Sequence, residues 1–506
     1  MKKNQINWWV VTWIFISSIT LLRFWYISRI PLSADEAYFW VCSRHLSLCY
    51  YDQPPMVPYL IFLSTKIGRN SELWVRFFSP LCIAITGIIL YIFTKKIFKN
   101  EKFSFYSTIL IFIIPGFSIA GLLAGVESPL ILFYILSVYF LYKAIFEDRK
   151  YFWYIAGISF GFGLLTKYLI LFIPLSLFIF LLLSHSYRKY LKTKYPYLFL
   201  LTGFLIFSPV IYWNAKNQWV NFSLNFLHRH SSPFHFLPDV KELGKFIASQ
   251  IGIISPFLFF FLMYVLFQLI KSWKKDEKFL FLLSFSAVIF FFFFIYSLFI
   301  ETPEPHWTGI GYLPLFISMP FVFSQNRKKI NDFFIAGIIF SLIITILIHL
   351  IPFNIKLITK FNVKKKTEYE MYAFMMNWPK IVGKKVAEMK EKMGKDTFIL
   401  CRGFALASYI EFYNPSQEQV YMVFQKGLLG HGYYYWQNLN SKIGKDAIFV
   451  DKGEETGFLK ELKKLFKVVE KGGTVDIKFE GKKIKTFSLY RCYDFKGMEK
   501  EKPPIL

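Results

Sequence analysis

Long apolar stretches recur along the N-terminal two thirds of the chain, and short polar loops separate them. A transmembrane helix needs about 20 apolar residues, because the hydrocarbon core of a bilayer is about 30 Å thick. The pattern therefore predicts a polytopic all-α membrane domain over residues 1–352. Two short stretches beside Lys167 are equally compatible with one broken or re-entrant unit. Eleven transmembrane helices are predicted, at 8–28, 74–94, 104–123, 129–146, 152–166, 168–184, 196–213, 246–270, 279–300, 309–324 and 332–352.

Basic residues fall in alternate loops between these stretches. Cytoplasmic loops of membrane proteins carry an excess of Lys and Arg, so we expect this side to face the cytoplasm. Eleven helices then place the N-terminus in the cytoplasm and the C-terminus outside. The basic residues are Lys2, Lys3, Lys95, Lys96, Lys99, Lys102, Arg149, Lys150, Arg188, Lys189, Lys192, Lys194, Lys271, Lys274, Lys275, Lys278, Arg327, Lys328 and Lys329.

The chain changes character after the last apolar stretch and becomes rich in Lys and Glu. Short strand-like runs at 397–401, 420–423 and 447–450 alternate there with helical patterns at about 404–413 and 457–466. This alternation predicts a C-terminal extracytoplasmic α/β domain over residues 353–506.

The composition agrees with a membrane protein. Of 506 residues, 55% are hydrophobic, 21% are aromatic and only 18% are charged, which excludes a soluble enzyme, a coiled coil and a disordered chain. The net charge of +27 would indicate nucleic-acid binding in a soluble protein, but basic cytoplasmic loops and anionic lipids explain it here. We therefore expect membrane lipids as partners and no nucleic acid. The five cysteines have no metal-binding spacing.

The first loop, residues 29–73, carries two motifs on the predicted outer side. Asp35 and Glu36 follow the first predicted helix almost directly, where a charge is costly unless it is solvated or functional. A carboxylate at this position can act as a general base, and its neighbour can orient it or hold a cation. A solvated start of a loop remains the alternative interpretation.

The second motif surrounds Asp52. Tyr51, Asp52 and Gln53 precede the pair Pro54-Pro55, which fixes an extended turn and prevents a helix before it. Aromatic residues around an acid form an amphipathic surface at the level of the lipid headgroups. Between the motifs, residues 37–45 predict a helix in the membrane interface, and an interfacial anchor without chemistry is the alternative.

Taken together, the two motifs resemble bacterial membrane glycosyltransferases of the protein O-mannosyltransferase-like superfamily, which includes the lipid A aminoarabinose transferases and has the GT-C fold. The resemblance rests on Asp-Glu-Ala-Tyr-Phe-Trp at 35–40 and Tyr-Tyr-Asp-Gln-Pro-Pro-Met at 50–56. It extends over roughly residues 8–350. One departure is Gln53, since the family usually has His there, so a titrating His is lost.

The resemblance implies a specific reaction in the inner membrane. Such enzymes take a sugar from a polyprenyl-phosphate carrier, here expected to be undecaprenyl phosphate, and transfer it to a glycolipid such as lipid A. Asp35 matches the catalytic base, and a single displacement would invert the anomeric centre. A protein hydroxyl is the alternative acceptor. The scheme needs no cofactor and no metal, although Glu36 or Asp52 can hold a metal ion.

Further candidates lie in other loops on the predicted outer side. Glu127 is expected to assist catalysis, with a helix N-terminal acid as the alternative. Lys167 is placed to bind the donor phosphate, or to snorkel to the interface. Arg229, assisted by His228, is a second candidate for the phosphate, with a solvated loop as the alternative. For the sugar or acceptor pocket we expect Tyr51, Asp52, Gln53, Glu304, His306 and Trp307.

Three other features lie outside the proposed catalytic and binding residues. Gln250 and Ser255-Pro256 resemble a family pattern, and a helix kink or packing is their expected role. The aromatic segment 430–436 either meets the acceptor or the membrane surface, or packs on its own domain. Two cysteine pairs, Cys42 with Cys49 and Cys401 with Cys492, are candidates for disulfides on the outer side.

A transporter or flippase for lipid-linked sugars is the rival function. It predicts broken helices with charges at mid-membrane and an internal repeat. The sequence has its acids and cations near the predicted outer interface and shows no repeat.

Overall fold

The computed structural model describes residues 6–229, 232–324, 328–353, 365–423 and 427–498. The basic residues Lys2, Lys3 and Arg327, which entered the orientation argument, lie outside these ranges. The chain forms two compact units. We call residues 1–27, 76–212 and 231–349 the bundle unit, and residues 28–75, 213–230 and 350–506 the sheet unit.

The bundle unit is helical, and each of the eleven predicted stretches lies on helical residues. By length and apolarity, six helices in the described residues suffice to cross a membrane, or seven if one bent pair is a single span. This protein is therefore a multi-pass membrane protein. The main helices are Trp8–Ile27, Phe78–Phe98, Glu101–Ile113, Pro115–Ala120, Glu127–Phe146, Tyr151–Leu164, Phe172–Leu183, Tyr195–Lys216, Val240–Ile254, Pro256–Ser272, Glu277–Phe299, Gly309–Phe323 and Lys328–Leu350.

Two stretches predicted as single helices are broken. The stretch 246–270 forms the helices Val240–Ile254 and Pro256–Ser272, which are bent by 108°. The break lies at Ser255, whose φ is +79°, and Pro256 has no N–H to continue the helical hydrogen bonds. Pro115 interrupts the stretch 104–123 in the same way. The kink expected at Ser255-Pro256 is confirmed.

Small residues allow two helices of the bundle unit to pack closely. A Cβ on Gly157 would lie 2.6 Å from the Phe199 carbonyl oxygen, and one on Gly161 would lie 2.9 Å from that of Gly203. Gly157 and Gly161 are four residues apart on one helix face. This small-xxx-small spacing is typical of helix contacts in membranes, where the backbones must approach for packing to stabilise the pair.

The sheet unit contains a five-stranded sheet with the order β2-β1-β3-β5-β4. The strands are β1 (Phe398–Arg402), β2 (Val420–Val423), β3 (Ala447–Lys452), β4 (Phe466–Phe479) and β5 (Lys482–Phe495). β1 pairs in parallel with β2 and β3, whereas β5 is antiparallel to β3 and β4. The α/β character expected of the tail is confirmed.

Helices of the sheet unit come from three separate parts of the chain. Two matter for the site, and we call Ala34–Arg44 the motif helix and Phe404–Tyr413 the tail helix. The motif helix confirms the helix expected at 37–45. The others are Met56–Ile67, Glu72–Arg76, Val220–Ser223, Lys365–Met375, Trp378–Met393, Tyr433–Trp436 and Leu459–Leu465, with a π-helical turn at Leu224–His228.

Candidate functional site

Asp35 lies in the first turn of the motif helix, with its side chain exposed. A capping box sets the start of this helix: the Glu36 N–H donates to Ser33 Oγ at 3.3 Å, and the Ser33 N–H donates to Glu36 Oε2 at 2.8 Å. The helix dipole favours a negative charge in this turn. Asp35 is thus presented as an accessible carboxylate.

Glu36 has a different environment from its neighbour. It is only 2% exposed, and one of its carboxylate oxygens closes the capping box. This arrangement supports a structural role for Glu36 at the helix start. The pattern Ser33-x-x-Glu36 before an apolar run is the sequence signal for such a box.

Asp52 is buried and accepts two hydrogen bonds within the sheet unit. The Tyr38 hydroxyl donates to Oδ2 at 2.5 Å, and the Gly430 N–H donates to Oδ1 at 2.9 Å. Burial raises the pKa of Asp52, and the Tyr38 and Gly430 donors and the charge of Arg229 partly oppose this rise. Asp52 therefore holds the first loop to the segment around Gly430.

The neighbours of Asp52 carry polar atoms with unused hydrogen-bonding capacity. Tyr51 is fully buried, and Gln53 is 8% exposed. In the described structure, the Tyr51 hydroxyl and Gln53 Nε2 have no hydrogen-bond partner. The Tyr51 ring contacts those of His431 and Tyr435, with centroids 5.4 and 6.5 Å away. Both atoms are thus buried polar groups without a hydrogen-bond partner among the described residues.

A short segment that follows the helix Tyr195–Lys216 also supports the first loop. Asn221 Nδ2 donates to the carbonyls of Tyr50 and Tyr51 at 2.7 and 3.1 Å. Asn225 Nδ2 donates to the Asp52 carbonyl at 3.3 Å. Sequence reasoning missed both residues, because an Asn in an aromatic loop carries no distinctive pattern.

His228 and Arg229 end this segment, and both side chains are exposed. His228 Nδ1 lies 3.0 Å from the Ser223 carbonyl oxygen, which fixes the ring against its own turn. The structure places Arg229 in the same compact unit as Asp35 and Asp52. Burial raises the pKa of Asp52, and the charge of Arg229 opposes a part of that rise.

The aromatic segment 430–436 packs against the first loop. The Trp436 ring stacks on His45 with centroids 5.1 Å apart and planes at 5°. The Gly432 N–H donates to the Tyr38 hydroxyl at 3.2 Å. The segment also touches its own domain, since Tyr433 and Ser408 share a 3.0 Å hydrogen bond. The C-terminal chain therefore contributes directly to the surroundings of Asp52.

A second group of candidates lies in the bundle unit. Lys167 Nζ is 3.3 Å from Glu127 Oε1 and 3.2 Å from His306 Nε2, and the latter is 3.3 Å from the same Glu127 oxygen. Lys167 occupies the break between two short apolar helices, with extended backbone. Three residues far apart in sequence thus form one polar cluster. A lysine ammonium group is also a ligand that phosphate prefers in proteins.

Gln250 supports the turn that carries His306. Its Nε2 donates to the Pro305 carbonyl at 3.0 Å, and its Oε1 accepts from Thr308 Oγ1 at 2.6 Å and from the Tyr312 hydroxyl at 3.1 Å. Gln250 is 2% exposed, so these bonds satisfy a buried amide. A packing role was expected for Gln250, and its hydrogen bonds hold the turn 305–308 in place.

The remaining candidates of the pocket, Glu304 and Trp307, lie at the start of the turn 305–308 and within it. Trp307 contacts the rings of Phe293 and Tyr296, with centroids 5.8 and 6.4 Å away. Glu304 is exposed at the start of the turn. Within the described residues, no group of three or more His, Cys, Asp or Glu side chains is arranged to hold a metal ion. The five cysteines are buried free thiols.

Known proteins match this chain in sequence and in fold. A family model described as dolichyl-phosphate-mannose-protein mannosyltransferase matches residues 52–213. The lipid A galacturonosyltransferase RgtD of Rhizobium johnstonii is 26% identical over 265 residues, or 50% of this chain and 53% of that protein. The chain therefore spans about half the length of this relative.

A second relative and a solved structure are also similar to this chain. An undecaprenyl phosphate-alpha-4-amino-4-deoxy-L-arabinose arabinosyl transferase of Wigglesworthia glossinidia brevipalpis is 29% identical over 155 residues, or 29% of this chain and 27% of that protein. The crystal structure of ArnT from Cupriavidus metallidurans bound to undecaprenyl phosphate matches with a TM-score of 0.63 at 14% identity, covering 95% of this chain and 98% of the other. At that identity the structural match establishes the fold. The predicted resemblance to the GT-C superfamily of protein O-mannosyltransferase-like and lipid A aminoarabinose transferase-like membrane glycosyltransferases is therefore confirmed.

Proposed function

We propose that this protein transfers a sugar from undecaprenyl phosphate, or a closely related polyprenyl phosphate, to lipid A or a similar glycolipid. The observation that carries the proposal is the exposed carboxylate of Asp35 in the first turn of a capped helix, within a motif typical of this superfamily. The names of the relatives support the same chemistry, since one is a lipid A galacturonosyltransferase and another an undecaprenyl phosphate arabinosyl transferase.

Asp35 is the proposed general base. It would accept the proton of the acceptor hydroxyl while that oxygen attacks the anomeric carbon and the lipid phosphate leaves. A single displacement of this kind inverts the anomeric centre. Glu36 and Glu127 are the proposed assisting acids. Glu36 would assist by holding the start of the motif helix, because its carboxylate is already used in the capping box.

Lys167, Arg229 and His228 are proposed to bind the donor phosphate. Charge develops on this phosphate as the sugar departs, and a nearby cation stabilises that charge. Lys167 now faces Glu127 and His306. A donor phosphate would therefore compete with Glu127 for the ammonium group. Arg229 has an exposed guanidinium, whose two parallel N–H groups suit a phosphate.

Tyr51, Asp52, Gln53, Glu304, His306 and Trp307 are the proposed residues of the sugar and acceptor pocket. The Tyr51 hydroxyl and Gln53 Nε2 are suited to donate to sugar oxygens, since neither has a partner within the described residues. Asp52 contributes through the position of the loop, because Tyr38 and Gly430 occupy its oxygens.

The placement of the protein in the cell envelope is also proposed. We place it in the inner membrane with eleven transmembrane helices, a cytoplasmic N-terminus, a membrane domain at 1–352 and an extracytoplasmic domain at 353–506. The alternating basic loops support this orientation. A protein hydroxyl remains the alternative acceptor.

The direct test is sugar transfer in proteoliposomes by the wild type and by Asp35→Asn, with Asp396→Asn as the matched control at an exposed Asp elsewhere. Reactions contain a panel of undecaprenyl-phosphate sugars with lipid A or an acceptor peptide, and mass spectrometry identifies the products. We expect the wild type and Asp396→Asn to consume one donor and Asp35→Asn to consume none.

Each other result has a definite meaning. Equal transfer by all three proteins would show that Asp35 is not the base. Transfer to the peptide alone would replace the lipid acceptor with a protein hydroxyl. Donor that crosses the bilayer without any product would favour the transporter.

A further inference from the structure

The tail helix contacts the motif helix along its whole length. Tyr413 contacts Leu32, the residue before the N-cap of the motif helix. Phe412 contacts Trp40 in the middle of that helix, and Glu411 contacts Arg44, its last residue. Three consecutive residues of the C-terminal domain therefore touch both ends and the centre of the helix that carries Asp35. All of these residues belong to the sheet unit.

The contact at the start of the motif helix is a hydrogen bond to the backbone. The Leu32 N–H donates to the Tyr413 phenol oxygen at 2.8 Å. Leu32 is fully buried, so without Tyr413 this donor would lose its partner in a place that water does not reach. Leu32 precedes the N-cap Ser33, and Asp35 follows within the first turn. This bond fixes the place in space where the helix begins.

The capping box cannot do this by itself. Ser33 and Glu36 bond to each other, so they determine that a helix starts here but not where it lies. A position relative to the rest of the unit requires a partner from another part of the chain. Tyr413 supplies one for the backbone just before Asp35.

The contact at the other end is an ion pair with a buried acid. Arg44 Nη1 lies 3.1 Å from Glu411 Oε1 and also donates to the Gln417 carbonyl at 2.6 Å. The Val420 N–H donates to the second Glu411 oxygen at 3.0 Å. Glu411 is thereby fixed to β2, so that Arg44 is tied to the sheet.

The middle contact is aromatic. Trp40 is fully buried and meets the Phe412 ring edge to face, with centroids 5.0 Å apart and planes at 88°. Such a pair resists sliding of one helix along the other, because the ring edges and faces must stay in register. Together the three contacts fix the translation and the rotation of the motif helix.

From these contacts we infer that Tyr413 is a positioning residue for Asp35, and that the C-terminal domain acts in sugar transfer by holding the motif helix in place. The inference rests on the proposed function for its catalytic part. A displacement of about 1 Å at a reacting group is enough to cost a large factor in rate. Loss of the Tyr413 contact should therefore slow the chemical step while leaving the binding of the lipid carrier intact.

The test compares Tyr413→Phe with Tyr490→Phe in the full-length protein. Tyr490 is the matched control, because its phenol oxygen accepts a backbone N–H, that of Thr456, at 3.1 Å inside the same domain. Three quantities are measured in lipid nanodiscs: amide hydrogen exchange at residues 32–37, the affinity for undecaprenyl phosphate, and the turnover of the donor that the wild type consumes.

For Tyr413→Phe we expect faster exchange at 32–37, turnover reduced about tenfold or more, and affinity for undecaprenyl phosphate within about twofold of the wild type. Tyr490→Phe should change none of the three. Unchanged exchange in Tyr413→Phe would overturn the inference, and so would faster exchange with normal turnover. An inactive wild type would contradict the proposed function instead, and the exchange experiment would still decide whether Tyr413 holds the helix.

A second pair of variants covers the case in which Tyr413→Phe does not fold. Arg44→Gln removes the ion pair at the partly exposed end of the motif helix, and Arg44→Lys keeps the charge. We expect Arg44→Gln to reduce turnover and Arg44→Lys to restore part of it. Equal turnover in both variants and the wild type would contradict a positioning role for the tail helix.

Discussion

Lys167 Nζ lies 3.3 Å from Glu127 Oε1, although Glu127 begins the helix Glu127–Phe146 and Lys167 follows 40 residues later, between two helices of the bundle unit. Sequence reasoning assigned these residues separate roles, as a phosphate ligand and as an assisting acid. Their contact places the phosphate ligand and the assisting acid in one cluster. The Lys167 ammonium group contacts the Glu127 carboxylate and the His306 imidazole, and a bound phosphate would compete with both for it.

Replacement of Lys167 should weaken the binding of the lipid carrier. For Lys167→Met we expect an affinity for undecaprenyl phosphate about tenfold lower, since one charge-assisted contact is lost. Lys167→Arg should retain most of the affinity. The matched control is Lys189→Met, at an exposed lysine of a basic loop. Equal affinities in Lys167→Met and Lys189→Met would exclude Lys167 from the phosphate site.

Gln250→Leu tests the support of the turn 305–308. The change keeps the approximate volume but removes one donor to the Pro305 carbonyl and one acceptor of the Thr308 and Tyr312 hydroxyls, and leaves the long 3.3 Å bond from Thr308 Oγ1 to Pro305. Buried polar groups without partners cost about 1–3 kcal/mol each, so we expect a clearly lower Tm in detergent and reduced transfer. Gln268→Leu, on the helix Pro256–Ser272, is the control. A Tm equal to that of the control would show that water replaces the lost bonds.

Tyr38→Phe tests the link between the first loop and the segment 430–436. It removes the donor to Asp52 and the acceptor of the Gly432 N–H in a single substitution. We expect the free energy of unfolding to fall by about 1–3 kcal/mol, as measured by denaturant titration. Tyr421→Phe is the control, because within the described residues that hydroxyl makes one hydrogen bond, a long one of 3.5 Å to Gln419 Oε1. A similar loss in both variants would contradict a special role for Tyr38.

Glu411 should make stability depend on pH. Burial raises the pKa of this carboxyl from 4.5 to about 7, against the opposing effects of the Val420 N–H and Arg44. Between these two values the folded state holds a proton that the unfolded state has released. The stabilisation is therefore complete below pH 4.5 and is lost as the pH rises through 7.

The measurement compares the Tm of the wild type and of Glu411→Gln from pH 5 to pH 8. A glutamine does not titrate, so the Tm of the wild type should fall relative to that of the variant as the pH rises. Two parallel profiles would show that Glu411 keeps the same charge in both states. In that case the ion pair with Arg44 outweighs burial.

Much of the fold could be predicted because its signals are local. Apolar runs marked the helices, and three buried runs marked β1, β2 and β3. The hairpin of β4 and β5 was missed because β4 is largely exposed and rich in Lys. The first half of β5 is also exposed or half-buried, and its second half mixes polar with apolar residues, so a clear strand pattern is absent. The sequence does contain a signal for the turn of this hairpin, namely Gly481. Glu480 and Gly481 both have positive φ in the structure, which is the conformation that two-residue hairpin turns require.

The candidate site was predicted less completely, because its contacts join distant parts of the chain. The motif around Asp35 is contiguous and could be recognised. The contacts of Asn221, Gln250 and Gly430 could not, since each joins two groups that lie far apart in sequence. Tyr413 is a further case, because its partner Leu32 is 381 residues away.

This separation has a consequence for biogenesis. A ribosome completes a chain from its N-terminus, so residues 28–75 emerge long before residues 350–506, with which they form one compact unit. Leu32 and Arg44 must therefore remain without their final partners until nearly all of the polypeptide has been made. A premature stop codon after the last membrane helix would yield a chain that retains every apolar helix of the bundle but cannot settle the helix that bears Asp35.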